Sequence, residues 1–338
     1  MLISYSNNLL KVLFYQRKQR NNNFSVEILF DIIRKNFSSN ILSVVQISSW
    51  ESSGLIKRLQ IGLEANRRQE KDAINHVTGD INFLPLFLNK RRTITTILDV
   101  GFMTHSNPMV RFILKLFWIK AAVHRSNIVT TISQATKDEL LKYVKCNPNK
   151  IRVVYVPVSS NFKLFTKQFN EKCPTILQVG TNPNKNVPRL IEAVKDINCQ
   201  LDIVGNLTEE MQSLLKKYQV KYLNSSRIPE EALIQKYQSC DILSFMSTYE
   251  GFGMPIVEAN IVGKPVITSK LLSMPEVAGG SAHLVDPYDV EDMRKGILRL
   301  IEDEGYREQL IKLGFENHQR FDATEIARQF EQLYQKLY

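Results

Sequence analysis

The sequence predicts an α/β protein made of two doubly wound domains, and three observations carry that prediction. Strand-like and helix-like patterns alternate through both halves of the chain. A polar, irregular stretch from Pro157 to Pro174 lies between the halves. Between Asp241 and Thr268 an apolar run, a glycine turn, a helical run and a second apolar run form a complete βαβ unit. At 338 residues the chain is long enough for two such domains.

The strands of the first half are short runs rich in β-branched and apolar residues. They are Lys11–Tyr15, Leu42–Ile47, Ala73–Val77, Thr93–Leu98, Ile128–Ile132 and Arg152–Val156. Ser133, a residue type that caps helix starts, precedes a helix over Thr136–Val144, and Asn147-Pro148 ends that region. The second half opens with Thr175-Ile-Leu-Gln-Val-Gly180 and a helix over Val187–Val194. Asp241-Ile-Leu-Ser-Phe-Met is the next strand-like segment. Pro255 is expected at the first position of the following helix, where its missing N–H would be unpaired anyway, and Gly263 ends that helix. Lys264-Pro-Val-Ile-Thr begins another strand. The last helix, about Ala323 to Leu337, places Ile326, Phe330 and Leu333 at helical spacing. The expected domains are 1–160, 161–320 and a terminal helix over 321–338. There is no repeat of solenoid period, and the only low-complexity tract is Asn21-Asn22-Asn23.

Composition agrees with a soluble enzyme. The chain is 43% hydrophobic, no apolar run is long enough to span a bilayer, and the N-terminus lacks the pattern of a signal peptide. Cys146, Cys173, Cys199 and Cys240 have no metal-like spacing and read as reduced thiols, so a cytoplasmic location is expected. Charge is asymmetric: residues 1–165 hold 24 Lys/Arg against 10 Asp/Glu, while residues 166–338 hold 20 against 24. A basic half of this kind is either a merely solvated surface or, more usually, the mark of contact with an anionic partner: nucleic acid, a membrane surface or a phosphorylated acceptor. No nucleic-acid-binding motif accompanies it, so no nucleic acid is expected, and an anionic membrane surface is the favoured partner. The place to look is Met109 to Arg125, where Arg111, Lys115 and Lys120 interrupt a dense apolar run containing Phe112, Phe117 and Trp118. That pattern suits a helix lying in a lipid interface, and equally a core helix whose Lys stems reach outward.

The run Ser-Thr-Tyr-Glu-Gly-Phe-Gly-Met-Pro-Ile-Val-Glu-Ala-Asn, residues 247–260, is the most informative stretch. Glu250 precedes a glycine turn, and Glu258 falls about one helical turn beyond it. A helix start presents backbone N–H groups and the positive end of a dipole, so it attracts anions. Carboxylates on either side suit a ligand with both phosphates and hydroxyls, and a sugar nucleotide fits. A second phosphate element is Gly180-Thr-Asn-Pro-Asn-Lys-Asn186, where Lys185 would place an ammonium beside a diphosphate. A unit charge at ~4 Å contributes roughly 4 kcal/mol at an effective dielectric near 20.

With Gly-Lys-Pro-Val-Ile-Thr-Ser, Met-Pro-Glu-Val-Ala-Gly-Gly (274–280) and Leu-Val-Asp-Pro-Tyr-Asp (284–289), these motifs resemble the group 1 glycosyltransferases of family four. The resemblance is most specific over 174–338. It implies the GT-B fold, in which two Rossmann-like doubly wound domains face a central cleft, and retention of anomeric configuration. By resemblance Glu250 contacts hydroxyls of the donor sugar, and the backbone of Gly251, Phe252, Gly253 and Met254 holds sugar and diphosphate. Glu258 would bind the ribose, and the terminal helix would pack back on the first domain. The family usually adds an arginine in the 180–186 loop. Here Thr181 and Asn184 take the candidate positions, with Arg189 as a substitute one turn into the helix.

In the first half, Thr96-Ile-Leu-Asp-Val-Gly101 resembles the family's strand that often ends His-Asp; here Leu98 replaces the His and Asp99 is kept. Asp99 is therefore the candidate for orienting acceptor or donor sugar, with His105, His76 and Asp80 as further polar candidates. Asn22-Asn-Phe-Ser25 stands where the family often has cleft-lining glycines.

The resulting expectation is a metal-independent hexosyltransferase with Glu250, Lys185 and Asp99 as catalytic residues. Glu258, Gly180, Lys185 and residues 251–254 would bind the donor, a UDP- or GDP-hexose, and no cofactor is tightly bound. The acceptor would be a cell-surface polysaccharide or a lipid-linked glycan intermediate, met at the cytoplasmic face of a membrane. The alternatives are a sugar-nucleotide epimerase on the same fold and a non-catalytic sugar-nucleotide or membrane-binding subunit.

Overall fold

The computed structural model describes residues 9–18 and 25–338, so the Asn21-Asn22-Asn23 tract and most of the Asn22–Ser25 segment lie outside the described residues. The chain divides into two compact units, Met1–Pro157 together with Asp322–Tyr338, and Val158–Phe321.

The first unit holds six strands: β1 Leu10–Gln16, β2 Ile41–Ile47, β3 Ile74–Thr78, β4 Thr93–Ile97, β5 Ile128–Thr131 and β6 Ile151–Val153. They pair in parallel in the order β2-β1-β3-β4-β5-β6. β1 is a nearly unbroken apolar run because helices cover both faces of such a sheet. β4 reads Thr-Ile-Thr-Thr-Ile and is buried throughout, so its hydroxyls need partners. Thr95 meets Ser126 at 2.7 Å and Thr96 meets Thr130 at 2.7 Å.

His76, read from the sequence as a polar candidate at a strand end, is instead a core residue of this unit. Its Nδ1 lies 2.8 Å from Tyr334 Oη and its Nε2 lies 2.7 Å from Thr96 Oγ1. Neutral imidazole carries one donor and one acceptor, and hydroxyls can satisfy either. Burial drives the ring's pKa down to about 3, so it is neutral in the folded protein. The helix Ala323–Gln335 supplies Tyr334 and stacks Phe330 against it at 6.1 Å, and Asp322 caps its start by accepting from Glu325 N.

Residues 108–125 form consecutive helical segments, Pro108–Leu114, a π-helical Lys115–Lys120 and Ala121–Arg125. Trp118, Ile119, Ala122 and Val123 are buried, whereas Met109, Phe112, Ile113, Leu116 and Phe117 are exposed. Trp118 thus leaves the set of interfacial aromatics: its indole donates to Asp80 O, and the Arg58 guanidinium lies 4.5 Å from the ring centroid. Among the described residues no helix is long and apolar enough to cross a membrane.

The second unit holds β7 Thr175–Val179, β8 Gln200–Val204, β9 Lys221–Ser225, β10 Ile242–Phe245, β11 Val266–Ser269 and β12 Ala282–Val285. Their order is β12-β11-β10-β7-β8-β9, all parallel. Strand order reverses between β7 and β10, the topological switch point where open α/β sheets bind ligands. The 157–174 stretch packs on this unit: Phe162 is buried edge-on to Tyr237, and Asp241 takes Lys167 Nζ and the Asn170 and Thr175 amides. Cys199 and Cys240 are buried here, and burial raises each thiol to about 12, so both are protonated.

Candidate functional site

Two loops leave the carboxyl ends of β7 and β10 at the switch point and interlock. Gly180 closes β7 with φ +89°, a conformation that favours glycine, and a Cβ there would stand 3.0 Å from Lys185 Cε. Room for the Lys185 side chain therefore depends on Gly180. Asn186 takes the left-handed conformation at the start of the helix Val187–Ala193 and donates to the carbonyls of Met246 and Pro287. Asn184 donates to Tyr249 O at 2.9 Å and to Glu250 Oε1 at 3.1 Å, while its own carbonyl accepts from Thr248 N.

Lys185 Nζ lies 2.7 Å from Glu250 Oε1 and 4.4 Å from the centre of the Phe245 ring. The pair is only 18% and 16% exposed, so solvent and salt screen it less than a surface ion pair. Ser273 Oγ, lying 3.0 Å from Glu250 O and 2.7 Å from Phe252 O, steadies the turn between them. The Phe252 side chain is buried edge-on to Phe321, so this residue can serve a ligand only through its backbone. Gly253 has φ +117°, and Met254–Val262 is the helix that follows. Pro255 is its second residue, not its first; the first is Met254. Both positions lack an intrahelical N–H partner, so proline is tolerated at either.

Glu258 stands one turn along this helix and accepts from Tyr237 Oη at 2.5 Å. Burial raises its carboxyl pKa to about 7, Tyr237 and Lys185 pull it down, and Glu230 pushes it up. The ionised form accepts hydrogen bonds from two hydroxyls, as a ribose diol would require. Nucleotide affinity is therefore expected to rise with pH through about 7, falling by roughly tenfold per unit below that value. Tyr237→Phe removes a bond that favours the carboxylate, so the profile should move to higher pH. A titration series in pH checks this, and a flat wild-type profile would reject the role given to Glu258.

The structure thus brings together Lys185, Gly180, Glu250, Glu258 and the 251–254 turn within the second unit. Asp99 belongs to the first unit, exposed at the end of β4, where its Oδ1 accepts from Gly101 N at 2.8 Å. With Leu98, Arg58, Asp80 and Trp118 it lines a cavity of about 320 Å³ in that unit. Asp80 is ion-paired with Arg17, and His105 is exposed, its Nδ1 accepting from Asn107 N. Arg189 bonds Asn186 Oδ1 at 2.8 Å and lies 5.3 Å from the Tyr288 ring centre. Tyr237 and Ser273 escaped the sequence reading. Neither carries a local signal, because each reaches the site from another element. Among the described residues no three His, Cys, Asp or Glu side chains are grouped to hold a metal ion.

Residues 160–316 match the model of the glycosyl transferases group 1. This segment belongs to that family. The group 1 glycosyltransferase segment contains both interlocked loops, with Gly180, Lys185, Glu250, the 251–254 turn and Glu258. The chain is 25% identical over 303 residues to O-antigen chain mannosyltransferase B of Escherichia coli, covering 80% of this chain and 76% of that protein. It is 29% identical over 224 residues to O-antigen chain mannosyltransferase RfbU of Salmonella typhimurium, covering 63% of this chain and 61% of the relative. Among solved structures it resembles Anabaena Alr3699/HepE in complex with UDP and glucose, with TM-score 0.80 at 16% identity over 97% of this chain and 100% of that one. WaaG, a glycosyltransferase involved in lipopolysaccharide biosynthesis, gives TM-score 0.73 at 13% identity over 96% and 99%. The two six-stranded parallel sheets are those of the GT-B fold.

Proposed function

We propose that this chain moves a hexose from a nucleoside diphosphate sugar to a hydroxyl of a cell-surface polysaccharide or lipid-linked glycan intermediate, with retention and without a metal. The observation that carries the reading is Lys185 held 2.7 Å from Glu250 by two interlocked loops at the switch point, with Glu258 one turn along the adjoining helix. In this reading Lys185 meets the charge that develops on the departing diphosphate. Glu250 takes hydroxyls of the hexose, the 251–254 backbone holds sugar and diphosphate, Glu258 holds the ribose, and Asp99 orients the acceptor. The glycosidic C–O bond breaks with its electron pair on the diphosphate. The acceptor oxygen bonds the anomeric carbon on the same face, and its proton passes to a phosphate oxygen. The names of the O-antigen relatives favour mannose as the hexose.

Isothermal titration of UDP, GDP and their hexoses tests the donor. One nucleotide should bind, and Glu258→Ala should weaken it at least about tenfold, the effect of losing hydrogen bonds to a charged group, ~1.5–3 kcal/mol. Absence of nucleotide binding would overturn the transferase reading. Binding without turnover would favour the non-catalytic subunit, and donor conversion without acceptor the epimerase. Turnover should survive chelation of divalent ions.

The membrane contact is proposed on the first unit. Met109 and Phe112 are 72% and 66% exposed beside Arg111 and Lys115, and Leu55 and Ile56 of the helix Gly54–Arg68 are 78% and 77% exposed beside Lys57. Exposed apolar side chains bordered by cations suit an anionic lipid interface. Sedimentation with phosphatidylglycerol vesicles should exceed that with phosphatidylcholine. Phe112→Glu with Ile56→Glu should lower it about tenfold or more, since each buried side chain contributes ~1.5–3 kcal/mol. Equal sedimentation of variant and wild type would remove this contact.

A further inference from the structure

At the opposite end of the first unit's sheet from Asp99, the amino-terminal ends of β4, β5 and β6 open into a cavity of about 590 Å³. Five cationic side chains line it: Lys90, Arg91, Lys150, Arg152 and Lys336. No carboxylate lines it, and among the described residues none of the five takes part in an ion pair. In the adjoining sequence Arg92 alone reaches an acid, Asp72 at 3.8 Å.

The cations are presented by a braced scaffold. Lys90 and Arg91 belong to the turn Lys90–Arg92, which Asn89 caps by accepting from Arg91 N at 3.1 Å. Lys150 ends the turn Pro148–Lys150, capped in the same way by Asn147, which accepts from Asn149 N at 2.9 Å. Asn127 Nδ2 donates to Arg91 O at 2.9 Å and ties the first turn to the start of β5. Arg152 comes from β6, and Lys336 follows the terminal helix, whose Leu333 forms an apolar wall. Burial lowers the Lys150 pKa, and the nearby ammonium of Lys90 lowers it further. Like charges gathered from four elements around one cavity repel each other unless an anion joins them. The volume falls within the range of small-ligand sites, and the number of cations exceeds what a single phosphate would neutralise.

We propose that this cavity is a second anion site, which binds a ligand carrying several phosphoryl groups. It is built from first-unit residues only, so it does not draw on Lys185, Glu250 or Glu258. The ligand chemistry can come from a soluble oligophosphate or from a phosphorylated lipid headgroup.

Inorganic tripolyphosphate, titrated calorimetrically at low salt, is the probe. Three proteins are compared: wild type, Lys185→Ala, and the double variant Lys150→Gln with Arg152→Gln. Wild type and Lys185→Ala should share a binding event that weakens at least about tenfold in the double variant. Its affinity should also fall as salt rises, as expected when several cations release their counterions. Unchanged melting of the double variant would exclude misfolding as the cause. Sedimentation with phosphatidylcholine vesicles doped with a lipid whose headgroup carries several phosphates separates the sources. Loss of both tripolyphosphate and vesicle binding in the double variant assigns a headgroup, and loss of tripolyphosphate alone assigns a soluble ligand. Absence of tripolyphosphate binding to wild type, or undiminished binding to the double variant, overturns the site.

Discussion

Replacing Lys185 by alanine is expected to lower kcat by about 10²–10³-fold, the usual loss when one preorganised donor to developing charge is removed. KM should change far less, because the ammonium matters most when the diphosphate departs. Lys185→Arg should not restore the rate. The lysine stem runs against Gly180 and beneath the Phe245 ring, a space fitted to an unbranched chain. Glu250→Gln should also be slow, and the double variant should lose less than the product of the two single losses, since the residues are in contact. Steady-state kinetics with the donor identified by titration decide the matter. A kcat for Lys185→Ala within a factor of about three of wild type would remove this residue from the mechanism. Melting curves guard against misreading, because the variant leaves Glu250 without its cation.

Phe330→Ala is expected to destabilise the first unit by about 3–5 kcal/mol, the range for deleting a buried aromatic side chain. Phe330 is buried among Phe30 at 6.4 Å, His76 at 5.3 Å and Tyr334 at 6.1 Å between ring centres. A cavity there also loosens Tyr334, whose hydroxyl satisfies the fully buried His76. The sign with pH follows from that ring. Its folded pKa is depressed to about 3, so the stability it supports is present above its ordinary value near 6.5 and is lost as pH falls toward 3. Urea denaturation measures the effect. A loss under about 1 kcal/mol would mean that the terminal helix is not an integral layer of this core.

The candidate site of the second unit was legible because its residues are nearly contiguous. Glu250, the glycine turn and Glu258 occur within nine residues, and Lys185 follows its own strand by a short loop, so local spacing reports the arrangement. The candidates of the first unit were less so. His76 and Asp80 look alike in sequence, as polar residues near one strand end. Only packing shows that the first lies beneath the terminal helix and the second faces Arg17. Trp118 likewise sits in an amphipathic run whose pattern fits a core or a lipid interface, and the face that Arg58 covers decided it.

The sequence by itself determined the α/β class, the positions of nine of the twelve described strands (all but β8, β9 and β12, which were not read from it) to within about three residues, the two loops that follow β7 and β10, and the two glutamates. Each of these depends on short-range spacing and on the conformational demands of single residues such as glycine and proline. Only the tertiary structure decided that Lys185 pairs with Glu250, that Tyr237 holds Glu258, and that five cations line one cavity of the first unit. Those relations join residues far apart in the chain. Their distances are set by the order in which strands assemble, and no local pattern encodes that order.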